Sequence, residues 1–114
     1  MCMKNYLTID IGRNWLRYAL ISEEIDVYKT GKEELNSFTS REDLFTTIKK
    51  ITDSFSSRTD SLAITMPGII DTDSGMAYSA GIYRFIRNEP LAKEISEYTG
   101  MKTIIINDAK AAAL

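Results

Sequence analysis

The sequence predicts an α/β domain with a mixed sheet, in which three antiparallel strands lead, parallel strands follow and helices flank them. Three observations predict it: β-rich segments separated by turns in the first third, two segments with apolar residues at helical spacing, and a short apolar strand after each helix. The length of 114 residues, with 44% apolar and 26% charged residues, is that of one globular domain.

The three leading strands are predicted at residues 6–10, 15–21 and 26–30. Between the first two, Gly12, Arg13 and Asn14 interrupt the β-rich pattern. Glycine and asparagine tolerate positive φ, so this break predicts a hairpin turn.

Ser40 is a good N-cap for the first predicted helix, and Asp43 follows it at capping-box spacing. One face of this helix is apolar: Leu44, Phe45, Ile48, Ile51 and Phe55. An apolar strand at residues 62–66 then stops at Pro67 and Gly68, and the turn-rich residues 69–81 predict a small hairpin.

Asn88 is the predicted cap of the second helix, with Pro90 in its first turn and Gly100 at its end. Its buried stripe is predicted to consist of Leu91, Ile95 and Tyr98. The unbroken isoleucine run predicts a strand at residues 103–106 buried on both faces, and a third helix opens after Asp108. Because that helix is only begun, we interpret the chain as one domain of a longer protein.

Composition excludes several classes of function. Fourteen lysines and arginines against sixteen acids give a net charge of −2, without the basic excess typical of nucleic-acid or anionic-membrane binding. The absence of histidine excludes a histidine base or histidine-bound zinc within these residues. A single cysteine, Cys2, the lack of a secretory signal and the lack of a membrane-length apolar run predict a cytoplasmic protein.

Two carboxylates fall where a predicted strand meets a turn. Asp10 ends the first strand, and Asp108 follows the isoleucine strand. Open α/β sheets bind ligands at the carboxyl ends of their strands, and a carboxylate there can act as a general base. Equally, Asp108 can be a helix N-cap and Asp10 a turn former, and the spacing alone does not separate these interpretations.

Other patterns favour ordinary structure. Asp71, Asp73 and Gly75 lack the register and the final glutamate of a calcium loop. Tyr83 and Phe85, interleaved with Arg84 and Arg87, resemble a stacking surface for a base or sugar, but a packed loop over the second helix is the favoured interpretation.

Together, three segments resemble the N-terminal domain of ROK-family sugar kinases in order and spacing. They are residues 10–17, residues 66–71 with Gly75 after them, and residues 106–114, of which the Asn-Asp-Ala-x-Ala-Ala-Ala-Leu segment is the most specific. The resemblance covers nearly the whole chain and implies an actin-like ATPase (ribonuclease H-like) fold. The family combines sugar kinases with sugar-responsive repressors.

The resemblance also implies residue roles. Asp108 matches the catalytic base that takes the proton from the attacking sugar hydroxyl, and Asn107 matches a residue that binds sugar hydroxyls. Positions matching the sugar pocket are Gly68, Ser79, Ala80 and Gly81. Positions matching the phosphate-binding hairpin, which holds ATP with Mg²⁺ near Asp10, are Asp10, Gly12, Arg13, Asn14 and Arg17.

The hairpin departs from the family pattern Asp-x-Gly-Gly-Thr-x-x-Arg/Lys, because Arg13 replaces the second glycine and Asn14 replaces the threonine. A Cβ at residue 13 is expected to restrict the turn and the approach of phosphates. Against this, Arg13 supplies a cation for phosphate, and Asn14 keeps hydrogen-bonding capacity.

The implied function is ATP-dependent phosphorylation of a hydroxyl on a hexose or N-acetylhexosamine. The alternative is a non-catalytic sugar-binding sensor or degenerate kinase, which the altered hairpin favours. No helix-turn-helix segment precedes Lys4, which counts against a DNA-binding repressor. Together with the lack of a basic excess and of a membrane-length apolar run, this leads us to expect neither a nucleic-acid nor a membrane partner. The family's zinc site, further sugar ligands and most adenosine contacts lie in a C-terminal domain outside these residues. The chain alone is therefore expected to lack turnover, and the complete protein is expected to be a homodimer.

Overall fold

The computed structural model describes residues 5–22, 24, 26–34 and 40–113. The strands are β1 (Asn5–Ile11), β2 (Trp15–Ser22), β3 (Val27–Glu34), β4 (Ser61–Met66), β5 (Ile70–Asp71), β6 (Met76–Ser79), β7 (Arg87–Glu89) and β8 (Lys102–Asn107). The helices are α1 (Arg41–Phe55), α2 (Leu91–Thr99) and α3 (Asp108–Ala113).

The main sheet has five strands in the order β3-β2-β1-β4-β8. β1, β2 and β3 are antiparallel neighbours, whereas β4 and β8 run parallel to β1. This topology confirms the predicted mixed sheet with three leading antiparallel strands. Because parallel strands end at the same edge of a sheet, the residues at the ends of β1, β4 and β8 lie along one edge.

One face of the sheet is apolar and buried. Ile9 of β1 pairs in register with Ile64 of β4, which pairs with Ile105 of β8, and all three side chains are fully buried. The predicted apolar residues of α1, with Leu91 and Ile95 of α2, belong to the same core. A slip of one residue in any strand would expose its apolar side chains, so this core fixes the strand register.

The opposite face of the sheet is open to solvent in the part of the chain that the structure describes. Ile104 of β8 is 50% exposed, while its neighbour Ile105 is buried. The prediction that this strand is buried on both faces is therefore wrong. Strand side chains alternate between faces, and the described helices α1 and α2 cover only one of them.

The first helix is confirmed. Its N-cap Ser40 accepts a hydrogen bond from the Asp43 amide at 3.2 Å. In the first turn, the Arg41 guanidinium pairs with Glu89 at 2.9 Å and with Glu94, and so ties α1 to β7 and α2. The pKa of Glu94 is raised, mainly because its carboxyl is buried and secondly because the Glu89 carboxylate lies nearby. These two effects outweigh the opposing effect of the Arg41 charge.

The second helix begins later than predicted. Asn88 does not cap it, because Asn88 lies in β7 with φ of 46°, a left-handed conformation that asparagine tolerates. The helix starts after Pro90 and ends as predicted at Gly100, whose φ is 78°. Tyr98 is 45% exposed and lies edge-on to Phe45 instead of in the buried stripe.

A second sheet of three strands, in the order β5-β6-β7, follows β4. The predicted hairpin within residues 69–81 is confirmed as β5 and β6, but β7 was not predicted. In the turn, Ser74 Oγ donates to Asp71 Oδ2 at 2.8 Å and the Gly75 amide donates to the Asp71 carbonyl. Asp71 thus stabilises a turn, as its departure from the calcium-loop pattern indicates.

Within the described residues, no helix combines the length and the apolar character needed to cross a membrane. Cys2 lies outside the described residues.

Replacing Ile64 by alanine is expected to lower the free energy of unfolding by about 2–5 kcal/mol, because the substitution leaves a cavity at the centre of the core. The matched control is Ile69→Ala, since Ile69 is 67% exposed. That control is expected to change stability by no more than about 0.5 kcal/mol. Urea unfolding followed by circular dichroism measures both, and equal losses would contradict the described core.

Candidate functional site

Asp10 and Thr65 lie side by side at the edge where β1 and β4 end. The two residues pair in register, and Thr65 Oγ1 donates a hydrogen bond to Asp10 Oδ1 at 2.7 Å. Asp10 is exposed and sits inside β1, opposite Arg17 of β2. The interpretation of Asp10 as a turn former is therefore wrong, because the residue belongs to a regular ladder.

Asn107 ends β8 at the same edge. Its Nδ2 donates to the carbonyl of Gly68 at 2.6 Å, and its Oδ1 accepts from the Lys110 amide at 3.0 Å. The second bond is the bond of a helix N-cap, so Asn107 caps α3. Because an amide nitrogen carries two hydrogens, one donor of Asn107 remains for a ligand.

Asp108 is the first residue of α3 and its side chain is exposed. Its Oδ1 accepts the adjacent Ala109 amide at 2.7 Å. Since Asn107 accepts the amide at the third helical position, the cap interpretation applies to Asn107 and not to Asp108. Asp108 thus presents a carboxylate to solvent, one residue after the Asn107 side chain that contacts Gly68.

The segment after β4 packs closely on the segment after β6. Gly68 has φ of 108°, and a Cβ there would overlap the backbone of Ser79 and Ala80. Ser79 Oγ accepts the Ile69 amide at 3.1 Å, and a Cβ on Gly81 would lie 3.2 Å from Pro67. Asn107 joins this contact through its hydrogen bond to the Gly68 carbonyl. We call these five residues the loop cluster: Gly68, Ser79, Ala80, Gly81 and Asn107.

Within the loop cluster, Ala80 differs from the others because only 1% of its surface is exposed and its side chain belongs to the core. Ala80 is therefore buried within the loop cluster and offers a ligand almost no surface.

The turn between β1 and β2 carries Gly12, Arg13 and Asn14, and the last two are exposed. The Gly12 amide donates to the Trp15 carbonyl at 2.9 Å and closes the hairpin. None of the three residues has a positive φ. The expectation that a Cβ at residue 13 restricts the turn is therefore wrong, because this turn uses no left-handed position.

Glycine at residue 12 leaves room for the Trp15 ring, since a Cβ there would overlap that ring as it is placed. The Arg17 guanidinium carbon lies 4.3 Å from the centroid of the same ring, a cation–π distance. The residues that the resemblance assigns to phosphate are thus neighbours, and we call Asp10, Gly12, Arg13, Asn14 and Arg17 the hairpin cluster.

Tyr83 was not predicted to belong to the site. It is 2% exposed and so is packed as predicted, but its hydroxyl contacts the first hairpin, and packing of this loop over the second helix stays a prediction. The hydroxyl donates to the carbonyl of Gly12 and to that of Arg13, the latter at 3.2 Å. No sequence spacing indicates a contact between residues so distant in the chain.

Burial raises the pKa of Tyr83 to about 12. The folded pKa lies above the value of about 10 for an unfolded tyrosine, so the protonated hydroxyl makes its full contribution to the free energy of unfolding below pH ~10. That contribution is lost as the pH rises through about 12. The hydroxyl therefore keeps its donor proton throughout the physiological range.

No group of three or more acidic, histidine or cysteine side chains gathers into a metal site among the described residues. Asp10 alone still fits Mg²⁺, because this ion is commonly held by one or two carboxylates together with substrate phosphates. Its carboxylate is exposed, and the Thr65 hydrogen bond engages one oxygen.

Comparison with known proteins identifies the family. The model of the ROK family matches residues 6–114. The DNA-binding transcriptional repressor Mlc of Escherichia coli K12 is 37% identical over 54 residues, which are 47% of this chain and 13% of the repressor.

Two solved structures show the fold. A ROK-family transcriptional regulator homologous to E. coli Mlc has a TM-score of 0.78 and 25% identity, over 96% of this chain and 29% of the regulator. A ROK-family glucokinase from Streptomyces griseus, in complex with glucose and AMPPNP, has a TM-score of 0.79 and 23% identity, over 96% of this chain and 35% of the enzyme. The chain thus spans about a third or less of the length of these relatives.

The predicted actin-like ATPase fold is confirmed by these structures. The match over residues 6–114 establishes that the chain belongs to the ROK family, which includes sugar kinases and Mlc-type regulators.

Proposed function

We propose that this chain is the N-terminal, sugar-binding and catalytic-base half of an ATP-dependent sugar kinase. The substrate is a hexose or an N-acetylhexosamine. The observation that carries the proposal is the position of Asp108: its carboxylate is exposed at the end of β8, next to the loop cluster, while Asn107 performs the capping role that would otherwise occupy it.

The loop cluster suits a sugar. Gly68 and Gly81 allow the two loop segments to pack against each other, because a Cβ at either residue would meet the opposite segment. The remaining Nδ2 hydrogen of Asn107 and the hydroxyl of Ser79 are donors for sugar hydroxyls. Both side chains are already held by hydrogen bonds to the protein, so they lose little freedom when a ligand binds.

The hairpin cluster suits the phosphates of ATP. Arg13 and Arg17 supply cations, and the exposed turn supplies backbone amides. Asp10 would hold Mg²⁺ through an oxygen ligand, and the ion when bound would neutralise phosphate charge. Use of ATP makes the cytoplasm the expected compartment.

Phosphoryl transfer depends on positioning of the reactants and on charge neutralisation more than on covalent chemistry by the protein. The Asp108 carboxylate accepts the proton of one sugar hydroxyl, the hydroxyl oxygen bonds to the γ-phosphorus of ATP, and the bond to the β–γ bridging oxygen breaks to release ADP. Asn107 orients the sugar beside Asp108. The rest of the nucleotide site, and any zinc site, would lie outside these 114 residues, in a longer and dimeric protein.

A sugar-responsive regulator without kinase activity is the second candidate. Two observations favour it: the replacement of the family's Gly-Thr pair by Arg13 and Asn14, and the 37% identity to a repressor over 54 residues. Such a protein would bind sugar at the loop cluster and would not consume ATP. As a regulator it would contact DNA through a part of the chain outside these residues.

Asp108→Asn is expected to lower kcat by about 10²–10⁴-fold, because the amide cannot accept the hydroxyl proton. The sugar Kd should stay within about twofold, since the amide keeps the size of the side chain. The kcat is measured as ADP release in a coupled assay of the complete protein, with a panel of sugars and Mg²⁺. The sugar Kd is measured by calorimetry. The control is Asp73→Asn, an exposed acid in the β5–β6 turn. Undiminished turnover in Asp108→Asn would contradict the proposed base.

Arg13→Ala is expected to raise the KM for ATP about tenfold, because it removes a charged hydrogen bond to phosphate. Arg87→Ala removes an exposed cation from β7 and serves as the control. The combined change Arg13→Gly and Asn14→Thr separates the two candidate functions. A gain in nucleotide affinity on restoring the family residues would favour the regulator and contradict a phosphate contact by Arg13.

A further inference from the structure

One short segment of the chain, residues 79–86, contains three residues of the loop cluster and also contacts the hairpin cluster. At its start, Ser79 and Gly81 pack against the segment after β4. Two successive turns follow, closed by Tyr83 N to Ala80 O and by Ile86 N to Tyr83 O, both at 3.1 Å. Ala80 and Ile86 are buried in the core on either side of Tyr83, so the segment is fixed at both ends.

At the middle of this segment, the Tyr83 hydroxyl donates to the carbonyls of Gly12 and Arg13. Its ring is buried and lies edge-on to Phe85, with 6.0 Å between the centroids. A buried ring held in this way has little freedom to swing independently of its backbone. A shift of residues 79–81 must therefore move the hydroxyl, or break its bonds to the hairpin.

We propose that Tyr83 is a positioning residue that couples the loop cluster to the hairpin cluster. Sugar at residues 79–81 then stabilises the hairpin in its phosphate-binding position, and nucleotide at the hairpin strengthens sugar binding by the same factor. The assignment of the two ligands rests on the proposed function, whereas the mechanical link between the two clusters does not.

Tyr83→Phe tests the link because it keeps the ring and removes the hydroxyl. The measured quantity is the Kd of AMPPNP with and without saturating glucose, by calorimetry on the complete protein. We expect a ratio of about fivefold or more in the unmodified protein and close to one in Tyr83→Phe, with the glucose Kd alone changed by less than about twofold. Tyr78→Phe is the matched control, since Tyr78 is 44% exposed in the neighbouring strand β6.

An unchanged ratio in Tyr83→Phe would overturn the proposal, because a hydroxyl that merely stabilises the fold would leave the ratio intact. An absence of any coupling in the unmodified protein would overturn it too. Failure of glucose and AMPPNP to bind at all would instead count against the proposed function.

A second experiment tests the same link without any ligand. Hydrogen exchange of the backbone amides of residues 12–15, followed by mass spectrometry, reports opening of the hairpin. Ser79→Ala, which removes the acceptor for the Ile69 amide, is expected to speed this exchange when Tyr83 is present and to add nothing in Tyr83→Phe. Equal effects of Ser79→Ala in both backgrounds, or no effect in either, would refute the link.

Discussion

The burial of a single face of the five-stranded sheet is the constraint on which the rest of the structure depends. Because Ile9, Ile64 and Ile105 lie in register on that face, the ends of β1, β4 and β8 are fixed at one edge. The polar residues Asp10, Thr65 and Asn107, which follow the buried positions, are thereby placed along this edge. A site that depends on register is as rigid as the core beneath it.

Short contacts between loops convert that edge into a surface with two distinct halves. Gly68 permits the backbones of two segments to touch, and the Asn107 amide holds the Gly68 carbonyl while capping α3. The same side chain therefore positions both the loop and the helix that begins with Asp108. On the other half, Thr65 fixes one oxygen of Asp10 and Trp15 supports the Arg17 guanidinium.

Periodicity and turn chemistry predicted the parts of the fold that depend on neighbours in sequence. The Ser40 cap, the apolar face of α1 and the Gly100 terminus are local, and all three are observed. The predictions that Ile104 is buried and that Asn88 caps α2 were wrong, because each depends on which other segments pack nearby. Asp10 and Asp108 were identifiable from strand ends, whereas the Tyr83 contact with Gly12 spans seventy-one positions and has no local signal.

The hairpin illustrates how a motif can be altered without damage to its backbone. A second glycine is expected where φ is positive, but Arg13 and Asn14 occupy ordinary conformations here, so the substitutions introduce no backbone strain. What changes is the chemistry presented to a ligand: a guanidinium and an amide instead of bare backbone and a hydroxyl. Any loss of nucleotide binding at this hairpin would then arise from crowding by the side chains of residues 13 and 14. Since the turn itself is intact, the two proposed functions would differ at this hairpin only in the side chains that the turn presents.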